Sequence, residues 1–272
     1  MQAIISVLLA FLSTGAVAAP RAVITLEPYR NTIAMHANVG GRDGFFVFDT
    51  GSGVLTLTPQ FAAKIGCEPW GRLTGFTMMA IRIDSPQCTS VSVAAGGVQS
   101  MVDAAGVFDI MSFYPKDAQP IDGLISLGVF DGKAITIDFA AGTLTIESPA
   151  TLRRRIRGAT EVPVRLTREV QGRALSVSVA VPTAKGRVWM EFDSGNSRTI
   201  LISRPYAALF GLDPDKKEAQ PVDFPLAGNL RVRGTAFTPD MIIDGNIGMP
   251  FWKDTVVTLD LAAGRMWVVG KR

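Results

Sequence analysis

The 272-residue chain contains a single histidine, His36, and two cysteines, Cys67 and Cys88, and none of them falls in a metal-ligand spacing. An imidazole-rich zinc site is thereby excluded, and no metal or cofactor is expected. Charged residues are sparse at 19%, but the 47% hydrophobic content excludes a disordered chain. Beyond the first residues no long apolar run occurs, so no transmembrane helix is expected. The net charge of +3 rests on one cluster, Arg153, Arg154, Arg155 and Arg157, without which the balance is −1. The cluster lacks the interleaved aromatics of a nucleic-acid surface. It reads as a solvated linker over residues 151–158, and no nucleic-acid partner is expected.

Residues 1–18 read as a signal peptide. Ala3–Leu12 is a short apolar run, and Ala16-Val17-Ala18 supplies an A-x-A pattern, which places the cut after Ala18. No Lys or Arg precedes the run, and a buried strand or helix is the alternative. Cleavage implies an exported chain, periplasmic or secreted, with no remaining membrane span; an uncleaved signal leaves an N-terminal anchor. In an oxidising compartment Cys67 and Cys88 could pair, but two separate buried thiols fit equally well, because sequence does not give their distance.

What the chain has in place of these features is an internal repeat. Ile121–Ile146 aligns without a gap on Ile243–Val268: both open on Ile-Asp-Gly and later carry an Asp, Asp138 or Asp260, followed by one apolar residue and Ala-Ala-Gly. Upstream, Phe46-Val47-Phe48-Asp49-Thr50-Gly51-Ser52 matches Met190-Glu191-Phe192-Asp193-Ser194-Gly195-Asn196. Each is followed by a β-branched and leucine-rich run and a short helix, Pro59–Ile65 after the N-cap Thr58 and Pro205–Phe210 after the looser Ser203. The helices stop at Gly66 and Gly211. Two homologous halves, 19–150 and 159–272, follow from this.

The remaining pattern is of short strands bounded by Gly, Asp or Asn. In the first half these are Ala22–Leu26, Thr32–Val39, Phe45–Phe48, Val54–Leu57, Ile135–Phe139 and Thr143–Ile146. In the second they are Val162–Leu166, Leu175–Val181, Val188–Phe192, Val256–Leu259 and Met266–Val269. A mainly β architecture is expected.

The Asp-x-Gly turns carry the chemistry. Each follows an apolar strand, so Asp49 and Asp193 enter a dry region where an ionised carboxylate needs hydrogen bonds or a partner. Gly51 and Gly195 permit a tight turn that brings an amide near the carboxylate. Thr50, Ser52, Ser194 and Asn196 are candidate local donors. Two such carboxyls brought together cannot both ionise cheaply; one keeps a proton, and the pair serves as acid and base at once.

Asp49-Thr50-Gly51-Ser52, its counterpart at Asp193 and the two downstream Asp-Gly-apolar segments together resemble the aspartic peptidases, over nearly everything after the signal segment. The resemblance implies two retropepsin-like β-barrel lobes fused in one chain, with an active-site cleft between them. It implies Asp49 and Asp193 as the catalytic pair, Thr50 and Ser194 as cross-interface supports, a peptide or protein substrate and a monomer. It also implies a hairpin flap near Leu73–Ile81, with a tip about Gly75–Met79 including Phe76 and Met78, and a shorter counterpart near Phe224–Asn229. The Met78-Met79 pair is equally readable as ordinary packing. Asp122, Asp244, Asp138 and Asp260 read as turn residues. Three positions depart from the pattern: Ser126 where glycine is favoured, Asn246 where the first half has Leu124, and Asn196 where it has Ser52. The alternatives are a catalytically silent relative that binds peptides in the cleft and a two-carboxylate glycosidase. The glycosidase is disfavoured by only four tryptophans and by carboxyls held in tight turns.

Overall fold

The computed structural model describes residues 19–270; the expected signal peptide, 1–18, lies outside the described residues. The chain is mainly β and builds two lobes on one base sheet. The first lobe is an eight-stranded sheet in the order Glu27–Tyr29, Thr32–Val39, Arg42–Phe48, Gly123–Ile125, Thr56–Leu57, Val98–Val107, Arg82–Ala95, Trp70–Phe76. Thr32–Val39 also pairs with Arg82–Ala95, which curls the sheet toward closure. The second lobe repeats the order with Val164–Glu169, Ala174–Thr183, Gly186–Phe192, Gly245–Ile247, Ile200–Ile202, Leu230–Phe237 and Gln220–Ala227.

Strand alternation decides which side chains reach the core and which reach the space between the lobes. Along Ala174–Thr183, Val177, Val179 and Val181 are fully buried, while Ser176 and Ser178 face the cleft. Along the two strands that end at the aspartates, Phe46 and Phe48 and likewise Met190 and Phe192 are buried in the core. Phe46 packs edge-on against Phe61, and Phe192 against Trp252. Each such ring contributes about 1.5–3 kcal/mol of burial.

The base sheet runs Ala22–Thr25, Thr143–Ile146, Ala134–Asp138, Thr255–Asp260, Arg265–Gly270, Thr160–Val162 and draws strands from both halves. At its centre Thr136 lies opposite Thr258, with their hydroxyls 3.0 Å apart. The spacing that relates Ile121 to Ile243 in the repeat also relates Thr136 to Thr258, so a pseudo-two-fold axis passes between these two residues.

Two expected strands are each split between sheets. Ala22–Leu26 ends at Thr25 in the base sheet, and Glu27–Tyr29 then enters the first lobe. Val162–Leu166 breaks at Pro163, which has no amide to donate; Thr160–Val162 stays in the base and Val164–Glu169 joins the second lobe. The arginine-rich linker is in part helical. Pro149–Arg155 is an α-helix with a capping box between Ser148 and Thr151. Arg153, Arg154 and Arg155 occupy its last turn, where cations complement the helix dipole, and Arg155 pairs with Glu147 at 3.3 Å. Cys67 and Cys88 form a disulfide, with Cα atoms 6.0 Å apart. Among the described residues no helix is long and apolar enough to cross a membrane.

Candidate active site

Asp49 and Asp193 each follow the last residue of a lobe's central strand, Phe48 or Phe192. Their main-chain amides continue the parallel pairing, Asp49 N–H donating to Ile125 O at 2.9 Å and Asp193 N–H to Ile247 O at 3.2 Å. The turns fold back so that Gly51 N–H donates to Asp49 Oδ1 at 2.9 Å and Gly195 N–H to Asp193 Oδ1 at 2.7 Å. Asn196 N–H also reaches Asp193 Oδ1, at 3.0 Å.

The two turns interlock. Thr50 Oγ1 donates to Phe192 O at 2.7 Å and accepts from Ser194 N–H at 2.9 Å. Ser194 Oγ donates to Phe48 O at 2.8 Å and accepts from Thr50 N–H at 3.0 Å. Four bonds thus clamp one lobe's turn to the other's, and both side chains are fully buried. The two carboxyls lie close enough that each shifts the other's titration. Burial and the neighbouring Asp193 push Asp49 up to about 8. Burial also raises Asp193, against the hydrogen bonds it accepts from Asn246, Asn196 and Gly195. Their titrations belong to the pair.

A cleft of about 390 Å³ lies against the first turn, with Gly51, Ser52 and Gly53 in its wall. The first-lobe side is apolar, with Phe108, Ile110, Phe113 and Leu124. The roof is the hairpin of Trp70–Phe76 with Arg82–Ala95, from which Gly75, Phe76 and Met78 line the cleft. Its tip is the turn 77–81, with Thr77 N–H bonded to Ile81 O at 2.8 Å. Ile242 N–H donates to Met78 O at 3.0 Å, which ties the tip to the second lobe. The disulfide closes the base of this hairpin.

The expected second flap is corrected. Gln220–Ala227 and Leu230–Phe237 do form a hairpin, but Asn229 lines a different cavity, with Thr160 and Phe251. By strand order this hairpin corresponds to Arg82–Ala95 with Val98–Val107, whose turn is Gly96-Gly97, and not to the flap. The second-lobe wall of the cleft comes instead from the turn after Val164–Glu169, through Glu169, Val170 and Ala174.

Turn aspartates behave alike in the two halves. Asp122 Oδ2 accepts from Phe45 N–H at 2.8 Å, and Asp244 Oδ2 from Trp189 N–H at 3.1 Å. Asp138 and Asp260 cap the Ala-Ala-Gly turns through Ala141 N–H and Ala263 N–H, at 2.9 and 3.0 Å. A Cβ on Gly248 would lie 2.4 Å from the Asn196 carbonyl oxygen and 2.6 Å from its Cγ, so the second-lobe turn requires glycine there. The first lobe has the smaller Ser52, and there serine, Ser126, is accommodated. Ser126 is buried, with its hydroxyl unpartnered.

Three residues enter the site to which the sequence assigned no role there, Asn246 having stood out only as a departure from the pattern. Glu191, two positions before Asp193 on the same strand face, lines the cleft. Asn246 donates through Nδ2 to Asp193 Oδ2 at 2.6 Å. Tyr114 stands near Asp49, its hydroxyl pushed up to about 12 by burial and then by that carboxyl. Glu191 could have been found as the one charge in the apolar run Val188–Phe192; Tyr114 left no signal.

No protein-family model matches the chain, and no curated protein matches it in sequence. Among solved structures, Basic 7S globulin from soybean is similar with a TM-score of 0.57, covering 91% of this chain and 94% of that one at 10% identity. That likeness is one of fold: a mainly β, bilobal, pepsin-like arrangement.

Proposed function

We propose that the protein is an aspartic endopeptidase, in which water held between Asp49 and Asp193 hydrolyses a peptide bond. The observation that carries this reading is the reciprocal clamp of Thr50 and Ser194, which holds the two turns, and with them Asp49 and Asp193, against each other. One proton shared by the pair supplies an acid and a base together. The ionised carboxylate takes a proton from water as the water oxygen adds to the amide carbon. The protonated partner gives its proton to the carbonyl oxygen. The carboxyl that took the water proton then passes it to the amide nitrogen, a hydroxyl of the tetrahedral intermediate returns its proton to the other carboxylate, and the C–N bond breaks, leaving a new carboxyl, a new amine and one proton on the pair again. No covalent enzyme intermediate and no metal is needed.

The substrate in this reading is an extended peptide lying under the flap, where free backbone groups of hairpin strands offer pairing. The apolar wall of Phe108, Ile110, Phe113 and Leu124 suits an apolar side chain. The chain supplies both aspartates, so a monomer suffices. The disulfide suits an exported protein in an oxidising compartment, periplasmic or secreted.

A silent peptide-binding relative is the second reading, favoured by the unequal surroundings of the two carboxyls. Incubating the chain from Ala19 with a mixed peptide library in ¹⁸O-water separates them. New C-termini carrying ¹⁸O are expected of the peptidase. Peptides retained on the protein with no new termini would establish the binder.

A further inference from the structure

Asn196, Asn246 and Glu191 occupy positions where the first lobe carries Ser52, Leu124 and Val47. In the fold these three differences form one network. Glu191 pairs across the sheet with Asn246, as Val47 pairs with Leu124. In the first lobe that pair is apolar and packs with Tyr29, Ile110 and Ile121. In the second it is polar and sits against the carboxyl pair.

The network has a direction. Arg198 and Thr199 donate main-chain N–H to Asn196 Oδ1, at 3.2 and 3.4 Å. Asn196 Nδ2 donates to Asn246 Oδ1 at 2.7 Å, and also to Thr199 O at 2.9 Å. Asn246 Nδ2 then donates to Asp193 Oδ2 at 2.6 Å and to Glu191 Oε2 at 3.2 Å. Turning the Asn246 amide over would set its oxygen against two carboxyls, so its orientation is locked. Asp49 receives nothing comparable: its neighbours Val47 and Leu124 have no side-chain donor, and Ser52 Oγ is spent on Val54 O at 2.8 Å.

We propose that this network makes the aspartates unequal, holding Asp193 as the ionised member and leaving the proton on Asp49, with Glu191 as a third carboxyl that shares their charge. Asn246 is a positioning residue for Asp193, and Glu191 acts on the pair through space. The groups facing Glu191 are Asp193, Asp49 and Glu169, all acidic, and Tyr114 faces Asp49. Among the described residues that line the cleft, the charged side chains are Glu169 and Glu191. Burial first, then Asp193 and Asp49, hold the Glu191 carboxyl well above the usual range. Glu191 therefore ionises late. Once ionised, it repels the second charge of the pair and keeps the proton on Asp49 to higher pH.

The catalytic consequence rests on the peptidase reading, but the charge distribution does not. The test is a ¹³C-carboxyl NMR titration of the folded protein, run beside the pH dependence of kcat/KM on a cleaved peptide. Asn246→Leu, which installs the first lobe's residue, should raise the first midpoint of the pair by about 1–2 pH units. Glu191→Gln should leave that midpoint in place and lower the last one by about one unit or more. In the rate profile these appear as an acid limb moved up and an alkaline limb moved down. Midpoints that stay put in both variants would overturn the proposal, as would an Asp49 that ionises before Asp193 in the unaltered protein. Asn246→Ser serves should the leucine variant not fold. A chain that cleaves no peptide would remove the peptidase reading alone, since the titration is still readable.

Discussion

The α-carbon of Gly51 lies against the Asp193 carboxyl so closely that a methyl group there would fall 2.7 Å from Cγ. Gly195 stands in the same relation to Asp49, at 2.5 Å. Each lobe's turn glycine thus seats the other lobe's carboxyl. Gly51→Ala or Gly195→Ala is expected to push the carboxyls out of register and lower turnover by about 10²-fold or more. Substrate binding under the flap should persist. Steady-state kinetics beside a binding assay check this.

The clamp between the lobes sets a stability prediction. Thr50→Val removes the hydroxyl that serves Phe192 O and Ser194 N–H, leaving two buried groups unpaired. The expected cost is about 1–3 kcal/mol for each. Thr50→Ser keeps the hydroxyl and should recover most of it. Urea unfolding curves of the two variants give the comparison.

The disulfide spans 21 positions and encloses the flap hairpin. Closing a loop of that length restricts the unfolded chain by about 3 kcal/mol. Replacing both cysteines by serine should lower stability by that order. It should also speed hydrogen exchange across Trp70–Phe76 more than across Gly186–Phe192. Equal changes in both strands would argue against a local tether.

Stability should also depend on pH in a definite sense. Asp49 titrates at about 8 in the folded protein, against about 3.9 when unfolded. Between those values the native state holds a proton that the unfolded state has lost. Stability therefore falls as pH rises through this window. Glu191 and Asp193 are raised and act with the same sign. The melting temperature should decline from pH 5 to 8, and Asp49→Asn should flatten the decline. Asp131, lowered chiefly by its bond to Arg168, acts in the opposite sense and below about pH 4, outside that window.

The repeat made the two-lobed plan and the aspartate turns legible, because Thr50 and Ser194 stand in a pattern that occurs twice. Thr32–Val39 and Thr143–Ile146 were readable to the residue, since Asn31 and Gly40 bound the first and Gly142 opens the second. The hairpin strands Arg82–Ala95 and Gln220–Ala227 were not, for they contain Pro86, Pro221 and Pro225 and expose one face to polar residues. Asn246 was visible as a departure, but its role depends on Glu191 and Asn196, which lie far from it along the chain. The base sheet was hidden for a similar reason: its centre is a contact between copies of the repeat, which the repeat itself does not announce.

The most direct test of the central claim is peptide cleavage by the chain from Ala19, compared with Asp49→Asn and Asp193→Asn. Products are read by mass spectrometry from about pH 3 to 8, the range over which such a pair changes charge. The unaltered chain should cleave, and neither folded variant should. Unchanged cleavage in one of them, or no cleavage by the unaltered protein anywhere in that range, would contradict it.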